Sequence, residues 1–299
     1  MDSSVLSGIL AGLMRRYREG VPDVGAILDA LVEAKIIVDR DAIESDHLAF
    51  RTLGVPNLGI ASLERIFLHC GYERRDAYSF PDKKLAAFWY HPPANSYPRI
   101  FISELCVGRL TTTAQKLIRS YTDAVRVDPV DALDLNDADA VDAVLHQPLW
   151  GLPSYAEYAQ LREESEYAAW TIYNRYALNH FTISVHSLPQ PLATLAAFDD
   201  FLLERGFKLN DAGGIIKESP DGLLLQSSTV AQIVDATFAD GDVRGIPGSY
   251  VEFAERRVLP AFAHLAPTDI RREHRRDGFE VGNADRIFES TDAAQVARR

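Results

Sequence analysis

The stretch DHLAFRTL at residues 46–53 has a counterpart later in the chain, NHFTISVH at residues 179–186. Both alternate polar and apolar residues, which predicts β-strands with one polar and one apolar face. A helical pattern follows each strand and ends at a glycine, Gly71 in the first segment and Gly206 in the second, at a similar distance from the histidine. The two segments therefore begin with the same order of strand and helix.

Two further strand patterns complete each segment. They span residues 76–80 and 85–90 in the first segment and residues 214–218 and 223–227 in the second, and each pair is joined across a Pro-Asp turn. The repeated strand-helix-strand-strand order indicates an internal duplication. Because one such unit cannot cover its own sheet face, we expect the two copies to pair around a shared cavity.

One more strand is predicted in each half, over residues 98–105 in the first and 249–255 in the second, the latter after a turn at residues 245–248. Apolar residues recur every three or four positions over residues 4–18 and 23–35, which predicts two N-terminal helices. The same helical period returns between the two segments.

The predicted fold class is α+β, with two paired β-α-β-β modules that carry N-terminal and inserted helices. Together the parts are expected to form one compact catalytic unit. They are an N-terminal helical cap (1–40), the first module (41–107), a helical insertion (108–178), and the second module with the C-terminal tail (179–299).

The composition narrows the class of partner. With 43 acidic and 31 basic residues among 299, the net charge is −12, which argues against nucleic acid because phosphate binding relies on clustered Lys and Arg. The short basic run at residues 271–276 is interpreted as a solvated helix face or loop. Cys70 and Cys106 are predicted to be reduced, buried thiols. Neither a membrane span nor a targeting segment is evident, so we expect a cytoplasmic protein.

Polar side chains fall on one face of each leading strand. His47 and Arg51 share a face of the first strand, and His180 lies on the polar face of its counterpart. Glu252 places a carboxylate on a later strand that otherwise has the pattern of the core. Two imidazoles and one carboxylate form a facial triad, the ligand set of non-haem Fe(II) oxygenases, although zinc tolerates the same ligands. We therefore predict a mononuclear metal site at His47, His180 and Glu252.

The other histidines are not expected to bind this metal. His186 lies six residues beyond His180, about 20 Å along an extended strand, so it is interpreted as a rim or outer residue. A lone histidine on a strand is more often part of the core, and the repeated placement in both modules is what favours His47 and His180. Five more histidines fall in helices or loops and are interpreted as structural: His69, His91, His146, His264 and His274.

Arg51 is a candidate for binding the substrate. It follows His47 by four residues on the same strand face, about 13 Å away by strand rise. Its guanidinium fork suits bidentate binding of a carboxylate whose far end reaches the metal, which favours a dicarboxylic substrate. The alternative is a structural ion pair in the cavity wall.

Six blocks of the sequence resemble the 2-oxoadipate dioxygenase/decarboxylase family. The resemblance covers most of residues 40–291, and the blocks are specific in combination although none is specific alone. They are DHLAFRT (46–52), PRIFISEL (98–105), NHFT (179–182), LLQSST (224–229), GSYVEF (248–253), and GFE (278–280) with IFEST (287–291).

The resemblance implies a vicinal-oxygen-chelate-like open barrel with Fe(II) as cofactor. It implies that His47, His180 and Glu252 are the iron ligands and that Arg51 is the substrate-selecting arginine. The activity implied is oxidation of 2-oxoadipate by O2 to 2-hydroxyglutarate with loss of CO2, a step of lysine breakdown. Because the substrate is itself a 2-oxo acid, no separate 2-oxoglutarate is expected.

Several alternatives stay open at this point. Glu280 and Glu289 are rival third ligands because both lie in family-like blocks, and Glu252 is preferred because its strand is expected to close the second module. Since a fold does not fix its chemistry, a Zn- or Mn-dependent hydrolase or isomerase is a second hypothesis. A non-catalytic protein that binds a small acid in the polar cavity is a third.

Overall fold

Ten strands are present in residues 3–297, the part of the chain that the computed structural model describes. Eight of them form one sheet and two form a separate hairpin. The strands are β1 (Ser45–Leu53), β2 (Glu73–Phe80), β3 (Leu85–His91), β4 (Arg99–Leu105), β5 (Leu178–Ser184), β6 (Lys217–Glu218), β7 (Leu224–Ser228), β8 (Ile233–Thr237), β9 (Val243–Pro247) and β10 (Tyr250–Arg256).

The eight-stranded sheet has the order β2-β3-β4-β1-β5-β10-β7-β6. The first strands of the two modules, β1 and β5, lie antiparallel at its centre, and each pairs on its other side with a parallel strand, β4 or β10. The strand order of one half is therefore repeated in the other half about the β1–β5 pair. The α+β class and the predicted pairing of two modules are confirmed, and the sheet curls into a half-barrel.

Two helices pack on equivalent parts of the sheet, α3 against β3 and β4 and α8 against β7 and β10. α3 and α8 follow the first strand of each module, and each buries one face: Leu63 and Phe67 in α3, Phe198 and Leu202 in α8. Four α-helices, α4 to α7, lie between β4 and β5 in the chain, in the region where a helical insertion was predicted. The helices are α1 (Ser3–Gly20), α2 (Pro22–Glu33), α3 (Ile60–His69), α4 (Thr112–Thr122), α5 (Ala138–His146), α6 (Tyr155–Glu164), α7 (Glu166–Asn174), α8 (Leu195–Glu204), α9 (Val281–Ile287) and α10 (Ala293–Val296).

Two details of the second module differ from the sequence prediction. The turn predicted at residues 245–248 is wrong, because β9 pairs with β8 there to form the separate hairpin. Most of the hairpin side chains are exposed, so no apolar stripe marks its strands in the sequence. β6 is shorter than predicted because Gly213 and Gly214 have φ angles of 70° and 102°, outside the strand region.

None of the helices in residues 3–297 combines the length and the apolar character that a membrane crossing requires. Cys70 and Cys106 are both free thiols, as predicted; Cys70 is buried, whereas Cys106 is only partly buried, contrary to the prediction. Burial raises the pKa of each thiol, so both are kept in the protonated form at neutral pH.

Helix α6 begins with a capping box. The Ser154 hydroxyl accepts a hydrogen bond from the backbone N–H of Glu157, whose carboxylate accepts one from the backbone N–H of Ser154. Replacing Ser154 by alanine is expected to lower the free energy of unfolding by about 1 kcal/mol, measured by urea denaturation. Ser120→Ala on the exposed face of α4 is the matched control, with an expected change within about 0.5 kcal/mol. Equal losses in the two variants would argue against the cap.

A buried carboxyl on α8 predicts a pH-dependent stability. Asp199 is 3% exposed; its Oδ1 accepts a hydrogen bond from the Ser227 hydroxyl, whereas its Oδ2 makes none. Burial raises the pKa of Asp199 to about 7. A carboxyl whose pKa is higher in the folded than in the unfolded state binds more protons when folded, so its contribution to stability falls as the pH rises from about 4 to about 7.

Asp199→Asn removes this titration. Over that pH window, the stability of the variant relative to the wild type is expected to rise by up to about 1.4 kcal/mol per pH unit, measured by urea denaturation at a series of pH values. Asp200→Asn, on the exposed side of the same helix, should show no such trend. A difference between Asp199→Asn and the wild type that does not change with pH would contradict the argument.

Candidate metal centre

Three adjacent strands at the middle of the sheet bring two imidazoles and one carboxylate together. His47 lies on β1, His180 on β5 and Glu252 on β10, and their exposures are 1%, 5% and 1%. The two Nε2 atoms are 3.3 Å apart. Glu252 Oε1 is 3.6 Å from His47 Nε2, and Glu252 Oε2 is 3.0 Å from His180 Nε2. The three side chains therefore converge on a common point, although they are far apart in the sequence.

The spacing of these donor atoms fits one divalent cation. Metal–ligand distances of about 2.0–2.2 Å at angles of about 90–110° separate neighbouring ligand atoms by about 2.9–3.5 Å. The separations in the cluster are close to this range, and within residues 3–297 no other group of three His, Cys, Asp or Glu offers such a set. The residues present therefore fit a mononuclear metal with open positions.

Each histidine is oriented by the residue that precedes it. His47 Nδ1 lies 2.9 Å from Asp46 Oδ1, and His180 Nδ1 lies 3.0 Å from Asn179 Oδ1. Because both partners are acceptors, each Nδ1 carries the proton and each Nε2 presents its lone pair to the centre of the cluster. Thr182 Oγ1 lies 3.1 Å from His47 Nε2 and adds a further polar contact there.

Glu252 is held in the ionised form. Burial alone raises its pKa, but the imidazoles of His47 and His180 lower the pKa well below the usual value. Its Oε1 accepts a hydrogen bond of 2.6 Å from Gln226 Nε2, and Asn283 Nδ2 donates to Gln226 Oε1 at 3.1 Å, which fixes the orientation of the amide. The carboxylate is therefore charged and fixed in position.

The two imidazoles have different proton affinities. Burial lowers the pKa of His47, but Glu252 and Asp46 raise it by more, so the net shift is upward. Burial also lowers the pKa of His180, and although Glu252 opposes this effect the net shift is downward. The positive charge of Arg51 makes a smaller contribution to the lowering of the His180 pKa.

Arg51 is a buried cation without a carboxylate partner in residues 3–297. It is 1% exposed, and its Nη1 and Nη2 donate to neutral acceptors, Thr291 Oγ1 at 3.0 Å and the Phe288 carbonyl at 3.2 Å. Its Nε is buried and makes no hydrogen bond. The guanidinium faces the rings of Tyr167 and Trp170 at 5.0 and 5.2 Å. The structural ion pair considered as the alternative for Arg51 is therefore not formed.

Two neighbouring cavities adjoin the His-His-Glu cluster and Arg51. A small one of about 20 Å³ lies against the His-His-Glu cluster, and a larger one of about 230 Å³ lies against Arg51, Lys83 and Lys84. Phe288 lines both. The small cavity has mostly apolar walls: Phe101, Phe279, Ala284, Ile287 and Phe288. The larger cavity is also lined by carboxylates, Asp82, Glu164, Glu166 and Asp292. The predicted ligands thus lie in a mostly apolar pocket beside a larger one with charged walls.

The remaining sequence candidates lie outside the cluster. β5 ends at Ser184, so His186 falls in a short 3-10 turn rather than on the strand, and its Nδ1 accepts from the backbone N–H of Arg256. Burial lowers the pKa of His186 to about 4, so it is neutral. Glu280 lies 3.8 Å from Arg276, and Glu289 pairs with Lys83 and Arg286. The structure brings neither glutamate to the two histidines.

Sequence reasoning missed the residues that support the ligands. Gln226 lies on β7 in one of the family-like blocks, and Asn283 lies in α9, so only the fold brings them to Glu252. Asp46 directly precedes His47, so the sequence could have indicated it as the hydrogen-bond partner of the imidazole. Arg256, which binds Asp46, is 210 positions away. The Asp46–Arg256 contact joins the two modules, the others join separate elements of the second module, and no local pattern reports any of them.

The sheet topology and the His-His-Glu cluster define the class of protein. A sheet built from two repeated modules, with a His-His-carboxylate cluster on its central strands, is a vicinal-oxygen-chelate-like fold with a candidate metal centre. A putative glyoxalase superfamily protein from Ralstonia eutropha, 21% identical, shares this fold with a TM-score of 0.71 over 92% of this chain and 85% of that one.

Comparisons with known proteins identify the family. The family described as 2-oxoadipate dioxygenase/decarboxylase matches residues 9–265. The chain is 47% identical to the chloroplastic 2-oxoadipate dioxygenase/decarboxylase of Arabidopsis thaliana, over 88% of this chain and 72% of that protein. It is 45% identical to the chloroplastic/amyloplastic protein of that name from Oryza sativa subsp. japonica, over 97% and 80%.

A solved structure agrees with these matches. The crystal structure of hydroxyglutarate synthase from Oryza sativa in complex with 2-oxoadipate superposes with a TM-score of 0.90 at 42% identity, covering 100% of this chain and 96% of that one. The chain belongs to the 2-oxoadipate dioxygenase/decarboxylase family and is an enzyme of the oxygenase class. The family resemblance stated from the sequence blocks is confirmed.

Proposed function

We propose that this protein oxidises 2-oxoadipate with O2 to 2-hydroxyglutarate and CO2, with Fe(II) held by His47, His180 and Glu252. The reaction balances, because the carboxylate next to the keto group leaves as CO2 with its own oxygens, and both oxygen atoms of O2 are incorporated into 2-hydroxyglutarate. The observation that carries the proposal is the convergence of three buried ligands beside a buried, unpaired arginine in a chain of this family.

Fe(II) is favoured over other metals by the kind of ligand set. Two imidazoles and one carboxylate leave several coordination positions open, as non-haem Fe(II) oxygenases require. When bound, Fe(II) would supply a Lewis acid for the 2-oxo acid and electrons for O2. The chain supplies the fixed orientation of the ligands and the apolar walls that exclude water from the small cavity.

Arg51 is proposed to bind the carboxylate of the substrate that lies far from the reacting end. Its present acceptors, a hydroxyl and a carbonyl, are neutral, and a carboxylate forms stronger charge-assisted hydrogen bonds with a guanidinium. Lys83 and Lys84 line the same cavity, but both are paired with carboxylates, which leaves Arg51 as the cation there that has no carboxylate partner in residues 3–297. A six-carbon diacid would thus have the Arg51 guanidinium for one end and the metal for the other.

The test is oxygen uptake by metal-free protein reconstituted anaerobically with Fe(II), Zn(II) or Mn(II). We expect uptake with Fe(II) and 2-oxoadipate alone, with one CO2 and one 2-hydroxyglutarate per O2. If the wild type binds Zn(II) tightly and consumes no O2 with any of the metals, the hydrolase or isomerase hypothesis is favoured. If it binds 2-oxoadipate without binding a metal, the small-acid-binding hypothesis is favoured.

The pathway is proposed from the same resemblance, and the location is the one expected in the sequence analysis. A role in lysine breakdown and a cytoplasmic location both stay predictions, and the plant relatives are described as chloroplastic. Fractionation of the source cells followed by immunodetection measures the location directly.

A further inference from the structure

The two histidines occupy equivalent places in the two modules, but the side chains that hold them differ in charge. Asp46 holds His47 at the start of β1, and Asn179 holds His180 at the start of β5. Both hydrogen bonds run from an imidazole Nδ1 to a side-chain Oδ1, at 2.9 and 3.0 Å. The duplication therefore keeps the geometry and changes the acceptor from a carboxylate to a neutral amide.

Asp46 belongs to a buried ionic network. Arg256 donates from Nε to Asp46 Oδ2 at 2.6 Å and from Nη2 to Asp46 Oδ1 at 2.9 Å. Arg99 Nη1 lies 3.3 Å from Asp46 Oδ2, and Arg99 Nε donates to Asp277 at 2.6 Å. Asp46, Arg99 and Arg256 are each at most 2% exposed. Because the two arginines hold both oxygens of Asp46, its carboxylate has one fixed position against His47.

One strand carries both the third candidate ligand and the arginine that fixes Asp46. Glu252 and Arg256 both lie on β10, four residues apart and therefore on the same face. Glu252 approaches the histidines directly, and Arg256 reaches Asp46 across the module boundary. A further contact, from Arg256 Nη1 to the Gly278 carbonyl at 2.7 Å, fixes the guanidinium.

The corresponding position in the second module has no such network. The Asn179 amide nitrogen is buried and makes no hydrogen bond within residues 3–297. A neutral amide polarises an imidazole less than a carboxylate does, since a carboxylate that accepts the Nδ1–H raises the electron density, and hence the basicity, at Nε2. The two imidazoles are thus unequal donors, although their positions are related by the duplication.

Building on the proposed metal function, we propose that Asp46, fixed by Arg256, is a positioning residue that makes His47 the stronger of the two imidazole ligands. Asn179 leaves His180 the weaker one. The metal centre is thereby asymmetric across the module boundary, and its affinity for a divalent cation depends on a carboxylate that does not touch the metal.

The test uses Co(II) as a probe in metal-free protein, with affinity measured by equilibrium dialysis and ligand geometry by the visible absorption of bound Co(II). Asp46→Asn gives both modules an amide at this position. For this variant we expect a 10–100-fold weaker affinity for Co(II) and a shifted visible spectrum of the bound Co(II). The stoichiometry should stay at about one Co(II) per chain, because the substitution changes a hydrogen bond to His47 and removes none of the three candidate ligands. The matched control is Asp277→Asn, which removes a carboxylate from the same network without touching His47 and should change the affinity by less than about threefold.

A second variant covers the case in which Asp46→Asn does not fold, as judged by thermal unfolding of the metal-free protein. Arg256→Lys keeps the charge but cannot make the same paired hydrogen bonds to Asp46, so it should weaken Co(II) binding about 3–10-fold and shift the spectrum in the same direction. If the variants lower only the unfolding temperature and leave the Co(II) spectrum and affinity unchanged, Asp46 is merely structural and the inference is wrong. If the wild type binds no divalent metal, the proposed function itself fails instead.

Discussion

Replacing Glu252 by glutamine is expected to reduce the metal content from about one per chain to near zero and to lower oxygen consumption at least about 10³-fold. The substitution keeps the size of the side chain and removes the single anionic donor in the cluster, so two neutral imidazoles are left to hold the cation. Gln226 Nε2 donates a hydrogen bond of 2.6 Å to Glu252 Oε1. In the variant, the new side-chain amide either turns its own NH2 donor toward the Gln226 donor or must rotate to avoid it, and neither arrangement keeps the wild-type orientation.

The measurement is metal analysis after anaerobic reconstitution, together with oxygen uptake on 2-oxoadipate. Glu280→Gln and Glu289→Gln are matched controls, because they make the same chemical change at carboxylates that pair with surface arginines and a lysine. Both controls should bind metal as the wild type does. Loss of metal in Glu289→Gln with retention in Glu252→Gln would overturn the ligand set.

The second large effect is expected at Arg51. Arg51→Met should lower kcat/KM for 2-oxoadipate by about 10²–10³-fold, since truncating one partner of a buried, hydrogen-bonded charge pair costs about 2–5 kcal/mol. The methionine fills much of the same volume among Tyr167, Trp170 and Phe288, so the aromatic packing is largely kept. Metal content should not change, because Arg51 is not among the candidate ligands.

A second substrate distinguishes substrate binding from a structural role. 2-Oxohexanoate has the same 2-oxo acid end and a methyl group in place of the far carboxylate, so its kcat/KM should be equal in Arg51→Met and the wild type or higher in the variant. Equal losses for both substrates would show that Arg51 acts through the structure of the cavity. Arg244→Met, at an exposed position on the separate hairpin, is the control for loss of positive charge elsewhere and should leave both substrates unaffected.

The two predictions also test whether the two cavities act together. The Arg51 cavity and the cavity beside the histidines share Phe288, whose carbonyl accepts a hydrogen bond from Arg51. A substrate that spans both must displace this contact or pass beside it. If Arg51→Met changes KM for 2-oxoadipate more than kcat, the arginine contributes mainly to binding; a change in kcat alone indicates that it orients the reacting end.

Much of the fold and the three candidate ligands could be predicted from the sequence because the signals are local and repeated. The alternation along residues 46–53 and 179–186 fixes which side chains share a strand face, and the duplication places His47 and His180 at matching positions. Glu252 was preferred over Glu280 and Glu289 because it lies on the strand that was expected to close the second module. The β8–β9 hairpin was missed because most of its side chains are exposed, so the chain carries no periodic apolar signal there.

The sequence by itself determined the two modules, the strand faces and the residue types that can hold a metal, because these depend on spacing of a few residues along the chain. Only the tertiary structure decided that Asp46 is bound by Arg256, that Glu252 is fixed by Gln226, and that Arg51 lies against the C-terminal segment at Phe288 and Thr291. Most of these contacts join residues 210–240 positions apart. The partners lie on different elements that only the folded chain brings together, and a pattern that repeats every two or four residues carries no information about such partners.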